Sequence, residues 1–184
     1  MTGIDDSLID GTQTTAVALS VNDGSSDNNF YPLADQTVSV STLDNDGPGF
    51  TVTESGGNTS VSETGTTDTF TVVLNAQPTT DVVLNLSSAD TGETTLSTSS
   101  LTFTNANWNT AQTVTTTGVD DTLIDGTQTT AGTVSVNDAS SDDNFDPVAN
   151  QTVNVSTTDN DSEGFTLTET GGTSVSETGT TDTF

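Results

Sequence analysis

The sequence contains no lysine, arginine, histidine or cysteine, against 27 acidic residues in 184, so its formal charge is −27. Without Lys or Arg there is no basic surface for phosphates, which argues against nucleic acid as a partner. Without His or Cys there is no Ser-His-Asp triad, no thiol nucleophile and no zinc site of the usual kind. Paired carboxylates can hydrolyse sugars, but one Trp, one Tyr and seven Phe offer little surface for stacking a sugar. We therefore expect that the protein is not an enzyme.

Hydrophobic residues are also scarce, at 28% of the chain, which is close to the composition of disordered, highly charged chains. A folded state needs something that offsets the repulsion among carboxylates, and no basic side chain is present to do so. No apolar run approaches the roughly 18 residues of a membrane-spanning helix, so we expect no membrane span. Residues 1–6 have neither a basic nor an apolar segment, unlike a signal peptide.

An internal repeat of about 115 residues dominates the sequence. Residues 1–57 align with residues 116–172 at an offset of 115, and 40 of these 57 positions are identical. One residue is then dropped, and the similarity continues at an offset of 114. Each repeat includes the tripeptide Asp-Asn-Asp, at residues 44–46 and 159–161, which we call the border tripeptides.

The border tripeptides are taken as the ends of units. Residues 47–161 are then one complete unit, residues 1–46 are the C-terminal part of a preceding unit, and residues 162–184 are the N-terminal part of a following unit. We expect the 184 residues to be a window on a longer tandem array.

Short runs rich in Val and Thr recur between turn residues at intervals of about 8–12 positions, without a sustained helical period of apolar residues. This pattern predicts an all-β protein in which each unit is an antiparallel, immunoglobulin-like β-sandwich. Trp108 is predicted to close one end of the core, and alternate Thr residues to form solvated sheet faces. Eight strands are predicted in the complete unit, near residues 50–53, 59–62, 69–75, 81–87, 101–104, 112–118, 129–136 and 151–156.

Carboxylates are concentrated where predicted strands end. Such groups repel one another when they converge, and Ca²⁺ relieves the repulsion because it takes about six to eight oxygen ligands. Each residue alternatively caps a turn and remains in contact with water. The candidate metal ligands of the complete unit are Glu63, Asp90, Asp120, Asp121, Asp125, Asp159 and Asp161. Their counterparts in the first partial unit are Asp5, Asp6, Asp10, Asp44 and Asp46.

The complete unit resembles the Calx-β domain of sodium–calcium exchangers, and more closely the Calx-β-like tandem repeats of large bacterial surface proteins. The segments that carry the resemblance are Val61-Ser62-Glu63, Phe70-Thr71-Val72-Val73-Leu74, Trp108-Asn109, Thr117-Gly118-Val119-Asp120-Asp121 and Asp159-Asn160-Asp161. The resemblance implies an extracellular or cell-surface β-sandwich with Ca²⁺ as its cofactor. The family's ligands correspond to Glu63, to Asp90 as the loop aspartate, to Asp120, Asp121 and Asp125, and to the border tripeptide 159–161.

Two departures from the family pattern imply fewer or weaker ions. Asn160 stands in the middle of the border tripeptide, and the acid-rich segment after the sixth predicted strand is shortened to residues 125–126. A second candidate site is Asp142, Asn144 and Asp146, which alternate as ligands do in calcium loops, although the first unit has Tyr31 in place of Asp146. Glycans are possible partners at five sequons, those of Asn58, Asn85, Asn150, Asn154 and Asn160.

Two functions remain open at this stage. The first is a structural repeat unit of an extracellular fibre, filament or cell-surface adhesin, stiffened by calcium at its borders, with neighbouring repeats as partners. The second is an adhesin module that binds a ligand or a carbohydrate, which needs an aromatic pocket that differs between units. The near-identity of the repeats and the scarcity of aromatic residues favour the structural function.

Overall fold

The computed structural model describes residues 1–169, 171–172 and 174–182, so residues 170, 173 and 183–184 of the predicted following unit lie outside the described residues. Within the described residues the regular structure is β-strands and short 3₁₀ turns. The strands are β1 (Gln13–Leu19), β2 (Gln36–Thr42), β3 (Phe50–Glu54), β4 (Thr59–Ser62), β5 (Thr67–Leu74), β6 (Val82–Ser88), β7 (Thr94–Leu96), β8 (Ser100–Phe103), β9 (Gln112–Gly118), β10 (Gln128–Val136) and β11 (Gln151–Thr158). No helix in this part of the chain has the length and apolar character that a membrane crossing requires.

Strands β3 to β11 form a sandwich of two sheets. One sheet has five strands in the order β4-β11-β10-β6-β8, and the other has four in the order β3-β5-β9-β7. Neighbouring strands are antiparallel, except that β4 runs parallel to β11. The predicted all-β sandwich is confirmed, and each of the eight predicted strands overlaps an observed one. Strand β7 was not predicted, because Thr94-Thr95-Leu96 is too short and too polar to stand out.

The core lies between the two sheets because successive side chains of a strand point to opposite faces. In β5, Phe70, Val72 and Leu74 are buried, while the residues between them are only partly buried. Trp108 packs against the core from its edge, in agreement with the prediction. Thr and Ser alternate with the buried positions, so the outer faces of the sheets are polar and remain in contact with water.

Strands β1 and β2 form a separate antiparallel hairpin that repeats the geometry of β10 and β11. Gln13 lies opposite Thr42, and Gln128 opposite Thr157, so the two registers agree at the offset of 115. Burial differs sharply, however: Phe30 is 54% exposed, whereas its counterpart Phe145 is 0% exposed. The hairpin therefore adopts the local structure of the repeat without the strands that cover the same side chains in the sandwich.

Candidate metal centre

An acidic cluster lies at the end of the sandwich where β4, β9 and β11 end and β7 begins. The cluster contains two groups of three carboxylates, and in each group one oxygen from every residue lies within 4.8 Å of the other two. The groups are Glu63, Glu93 and Asp121, and Glu63, Asp159 and Asp161. Glu63 belongs to both groups and is buried. The cluster thus joins four chain segments, two from each sheet.

Glycine at position 118 allows the two sheets to approach each other at the cluster. A Cβ atom on Gly118 would lie 2.1 Å from the backbone oxygen of Ser62, so only glycine fits. The Gly118 N–H donates to the Thr66 carbonyl at 3.1 Å, and the Val119 N–H donates to the Glu93 carbonyl at 2.9 Å. These bonds direct the backbone after β9 between the other segments, which brings Asp121 close to Glu63 and Glu93.

The border tripeptide 159–161 is held against the cluster by its own backbone and by Asn160. Asp159 accepts from the N–H groups of Asp161 at 2.6 Å and Gly126 at 2.8 Å. The Asn160 N–H donates to Glu63 Oε2 at 3.0 Å, and its side-chain amide donates to Asp120 Oδ1 at 2.9 Å. Asn160, the departure from the family pattern, therefore supplies donors where a third carboxylate would add repulsion.

Glu93 is the cluster residue that sequence reasoning missed. Its side chain is 9% exposed, and its Oε2 atom is buried without a hydrogen-bond partner, as is Asp161 Oδ2. A buried carboxylate oxygen without a partner is strongly destabilising, and the chain has no basic side chain to offer. A cation bound in each carboxylate group would supply a partner for the unpartnered oxygen there. The sequence offered one weak indication that Glu93 has a special role, because residues 47–161 contain only three glutamates.

The pKa directions follow from crowding and burial. Burial, then the charges of nearby acids, raise the pKa values of Glu93 and Asp161. The hydrogen bond from Asn160 lowers the pKa of Glu63, but burial and neighbouring carboxylates outweigh it, so this pKa is also raised. Hydrogen bonds from the Asp161 and Gly126 N–H groups lower the pKa of Asp159. The cluster therefore combines carboxylates that resist ionisation with one that ionises readily.

The other predicted ligands of the complete unit lie around the cluster. Asp90 is exposed and accepts from the Gly92 N–H at 2.9 Å, which caps its loop. Asp120 is exposed and bonded to Asn160, and Asp125 is also exposed. Asp90, Asp121 and Asp125, with Glu93, line a cleft of about 610 Å³. The structure thus brings together Glu63, Asp121, Asp159 and Asp161 of the predicted set and adds Glu93.

The counterparts in the first unit keep the same local hydrogen bonds. Asp44 accepts from the N–H groups of Asp46 at 2.8 Å and Gly11 at 2.7 Å, as Asp159 does 115 residues later. Asp6 accepts from the Leu8 N–H, as Asp121 does from Leu123. In the described residues no carboxylates from elsewhere in the chain join this set, which lacks counterparts of Glu63 and Glu93. The predicted ligands of this set are Asp5, Asp6, Asp10, Asp44 and Asp46.

The second candidate site has a different arrangement from a calcium loop. Asp142 is buried, and its carboxylate accepts from the Thr79 N–H and hydroxyl, the Thr80 N–H and the Asn144 N–H. Burial raises the pKa of Asp142, but these hydrogen bonds outweigh it and lower the pKa. Asn144 and Asp146 are exposed. Asp142 therefore caps the 3₁₀ turn Asp143–Phe145 and anchors it to the turn before β6.

Comparison with known proteins gives structural matches only. No protein-family model matches the chain, and no curated protein matches it. The apo form of the Calx CBD1 domain matches with a TM-score of 0.43 and 13% identity, covering 61% of this chain and 98% of that domain. The S-layer protein rSbsC(31-844) matches with a TM-score of 0.45 and 20% identity, covering 79% of this chain but only 16% of that one. SbsC domains 4 and 5 match with a TM-score of 0.42 and 18% identity, covering 79% and 58%. Similarity at this level does not indicate a function.

Proposed function

We propose that the chain is a stretch of tandem β-sandwich units from an extracellular fibre or cell-surface protein, in which bound Ca²⁺ stiffens the borders between units. The observation that supports it best is the pair of buried, unpartnered oxygens, Glu93 Oε2 and Asp161 Oδ2, beside a border tripeptide. The matching hydrogen bonds around Asp44 and Asp159 support the repetition of the border.

The cluster has the donor set of a hard cation. Its five carboxylates offer oxygen only, without the imidazole or thiolate groups that favour transition metals. Ca²⁺ accepts irregular sets of carboxylates and waters, whereas Mg²⁺ requires a near-ideal octahedron. Glu63, Glu93 and Asp121 would hold an ion in one group, and Glu63, Asp159 and Asp161 would do so in the other. Bound cations would supply positive charge that ties both sheets to the border.

The connection between units is short. Three residues, 47–49, separate the first border tripeptide from β3, and so few residues cannot act as a flexible coil. The Gly49 carbonyl also accepts from the Asn75 N–H at 2.9 Å, so the linker is bonded to the sandwich that it enters. An ion that orders the border would therefore act on the orientation of the next unit.

Thermal unfolding in chelator and in millimolar CaCl₂ tests the proposal. Ca²⁺ at 100 times its dissociation constant adds about 2.7 kcal/mol to the free energy of unfolding, so the midpoint should rise. Glu93→Gln should raise the midpoint in chelator, because it removes one repelling charge, and should shrink the shift caused by Ca²⁺. Asp35→Asn is the matched control, since Asp35 is exposed and the repeat has Asn150 at the equivalent position, and it should keep the full shift. No shift in the unmodified chain, or a full shift in Glu93→Gln, would contradict the proposal.

A further inference from the structure

Residues just before β1 dock on the sandwich of the complete unit. The Ser7 carbonyl accepts from the Gln77 N–H at 2.7 Å, and Leu8 forms a parallel β-bridge with Gln77. Ile9 packs against the hydrophobic core of the sandwich. The partner of this segment is the turn between β5 and β6, residues 75–78, which we call the β5–β6 turn.

The equivalent segment of the complete unit is uncovered. Leu123 and Ile124, the counterparts of Leu8 and Ile9, are 62% and 58% exposed. The local structure is the same, because the Leu8 N–H donates to Asp6 at 2.9 Å and the Leu123 N–H donates to Asp121 at 2.6 Å. The two segments therefore differ in whether a β5–β6 turn lies against them, and not in their own conformation.

We propose that Leu123 and Ile124 are the docking surface for the β5–β6 turn of a further unit in the same polypeptide. The proposal rests on the tandem array of the proposed function, but it does not depend on the cation. The contact repeats at each border and sets the angle between one unit and the next.

A glycine after the border tripeptide supports this partner. A Cβ atom on Gly49 would lie 2.7 Å from the Asn75 side-chain nitrogen, at the start of the β5–β6 turn. Gly164 keeps glycine at the equivalent place, although no atom lies within 4 Å of where its Cβ atom would be. A further β5–β6 turn at this position would bring an Asn75 counterpart against Gly164, as Asn75 lies against Gly49.

A second copy of this chain is a poor partner for the surface. The β5–β6 turn of the complete unit is already paired with Ser7 and Leu8, and Ile9 packs against the core of the same sandwich. Another copy would have to release this segment before it could offer its turn. A unit that follows in the same polypeptide has no such competitor.

Hydrogen exchange on the full chain tests the occupied contact first. Ile9→Ser should speed exchange of the Gln77 amide by about tenfold, because it removes roughly half the apolar burial of one Ile. Ile9→Val keeps most of that burial and should keep the protection. Ile124→Ser is the matched control at the equivalent, uncovered position, and it should leave Gln77 unchanged.

The second arm tests the uncovered surface. A copy of residues 71–161 is joined after Phe184, the counterpart of Phe70, which supplies the next unit with its β5–β6 turn. In this longer chain the added counterpart of Gln77 should be protected, and Ile124→Ser should remove the protection. Protection of Gln77 in Ile9→Ser, or no effect of Ile124→Ser in the longer chain, would overturn the proposal. So would dimerisation of the 184-residue chain that Ile124→Ser abolishes, since the occupant would then be a second copy.

Both arms are run in chelator and in CaCl₂. Protection that is present in both solutions, without a Ca²⁺ shift of the unfolding midpoint, supports the docking surface while contradicting the calcium proposal. A Ca²⁺ shift without protection supports the calcium proposal and contradicts the docking surface. The two proposals are thus separable.

Discussion

Gly118 shows how a single residue controls the acidic cluster. The backbone oxygen of Ser62 occupies the space that any larger residue at position 118 needs. Because Asp120 and Asp121 lie only two and three residues after Gly118, a shift of the backbone at Gly118 would displace them from Glu63. Glycine, which has no side chain of its own, therefore determines where these candidate ligands lie.

Gly118→Ala should destabilise the sandwich by at least about 2 kcal/mol, because the clash is with backbone and not with a flexible side chain. Gly3→Ala is the matched control at the equivalent position, where the nearest atom to a built Cβ is Thr42 Cγ2 at 3.4 Å. This control should change the free energy of unfolding by less than about 0.5 kcal/mol. Urea unfolding of both variants measures the difference, and equal effects would argue against the steric role of Gly118.

At the scale of elements, one sequence pattern forms the same 3₁₀ turn in two environments. Asp142 and Asp27 both cap such a turn, by accepting from the N–H groups of Asn144 and Asn29. Only Asp142 also accepts from Thr79 and Thr80, because only the complete unit has the turn before β6. The capping bond is thus made within the turn in both copies. The bonds to distant residues are made by Asp142 and not by Asp27.

Asp142→Ala should lower the free energy of unfolding by about 1–3 kcal/mol, since the donors of residues 79 and 80 lose a buried acceptor. Asp27→Ala should have little effect on the main unfolding transition, because Asp27 is exposed and its carboxylate accepts from Asn29 within the same turn. Chemical denaturation of the two variants measures both values. A neutral Asp142→Ala would show that water replaces the lost acceptor.

At the scale of the whole molecule, 27 carboxylates without a basic side chain make stability dependent on pH and on cations. Raised pKa values at Glu63, Glu93 and Asp161 mean that the folded state binds protons more tightly than the unfolded state. Stability in chelator must then fall as the pH rises from the ordinary glutamate value of 4.5 through the raised values. Asp159 and Asp142 have lowered pKa values and affect stability in the opposite direction. Their contribution to stability is lost as the pH falls below their ordinary pKa of 3.8.

Acidification in chelator from pH 7 to the ordinary glutamate value of 4.5 should therefore raise the unfolding midpoint. Saturating Ca²⁺ should reduce or abolish that rise, because protons and the ion compete for the same oxygens. High salt screens the repulsion among exposed carboxylates but affects the buried cluster less. The rise in midpoint should therefore remain larger in the unmodified chain than in Glu93→Gln when both are measured in 1 M NaCl. A midpoint in chelator that stays flat or falls between pH 7 and pH 4.5 would contradict the raised pKa values.

The sequence by itself determined the β-sandwich, because alternation and turn chemistry are local properties of the chain. Eight of the nine sandwich strands could be predicted in this way, and so could the position of acids at strand ends. The repeat is likewise readable without a structure. The structure adds that the hairpin β1–β2 has the same register as β10–β11, at the offset of the sequence repeat.

Only the tertiary structure decided which acids converge and which surfaces are covered. Glu93 joins the cluster while Asp90, three residues earlier, caps a loop, because pairing of β7 with β9 fixes where Glu93 lies. Ile9 packs against the core and Ile124 is exposed in matching local sequence, because the segment before β1 pairs with the β5–β6 turn. Convergence and burial depend on residues far away in the chain, so local sequence patterns do not contain them.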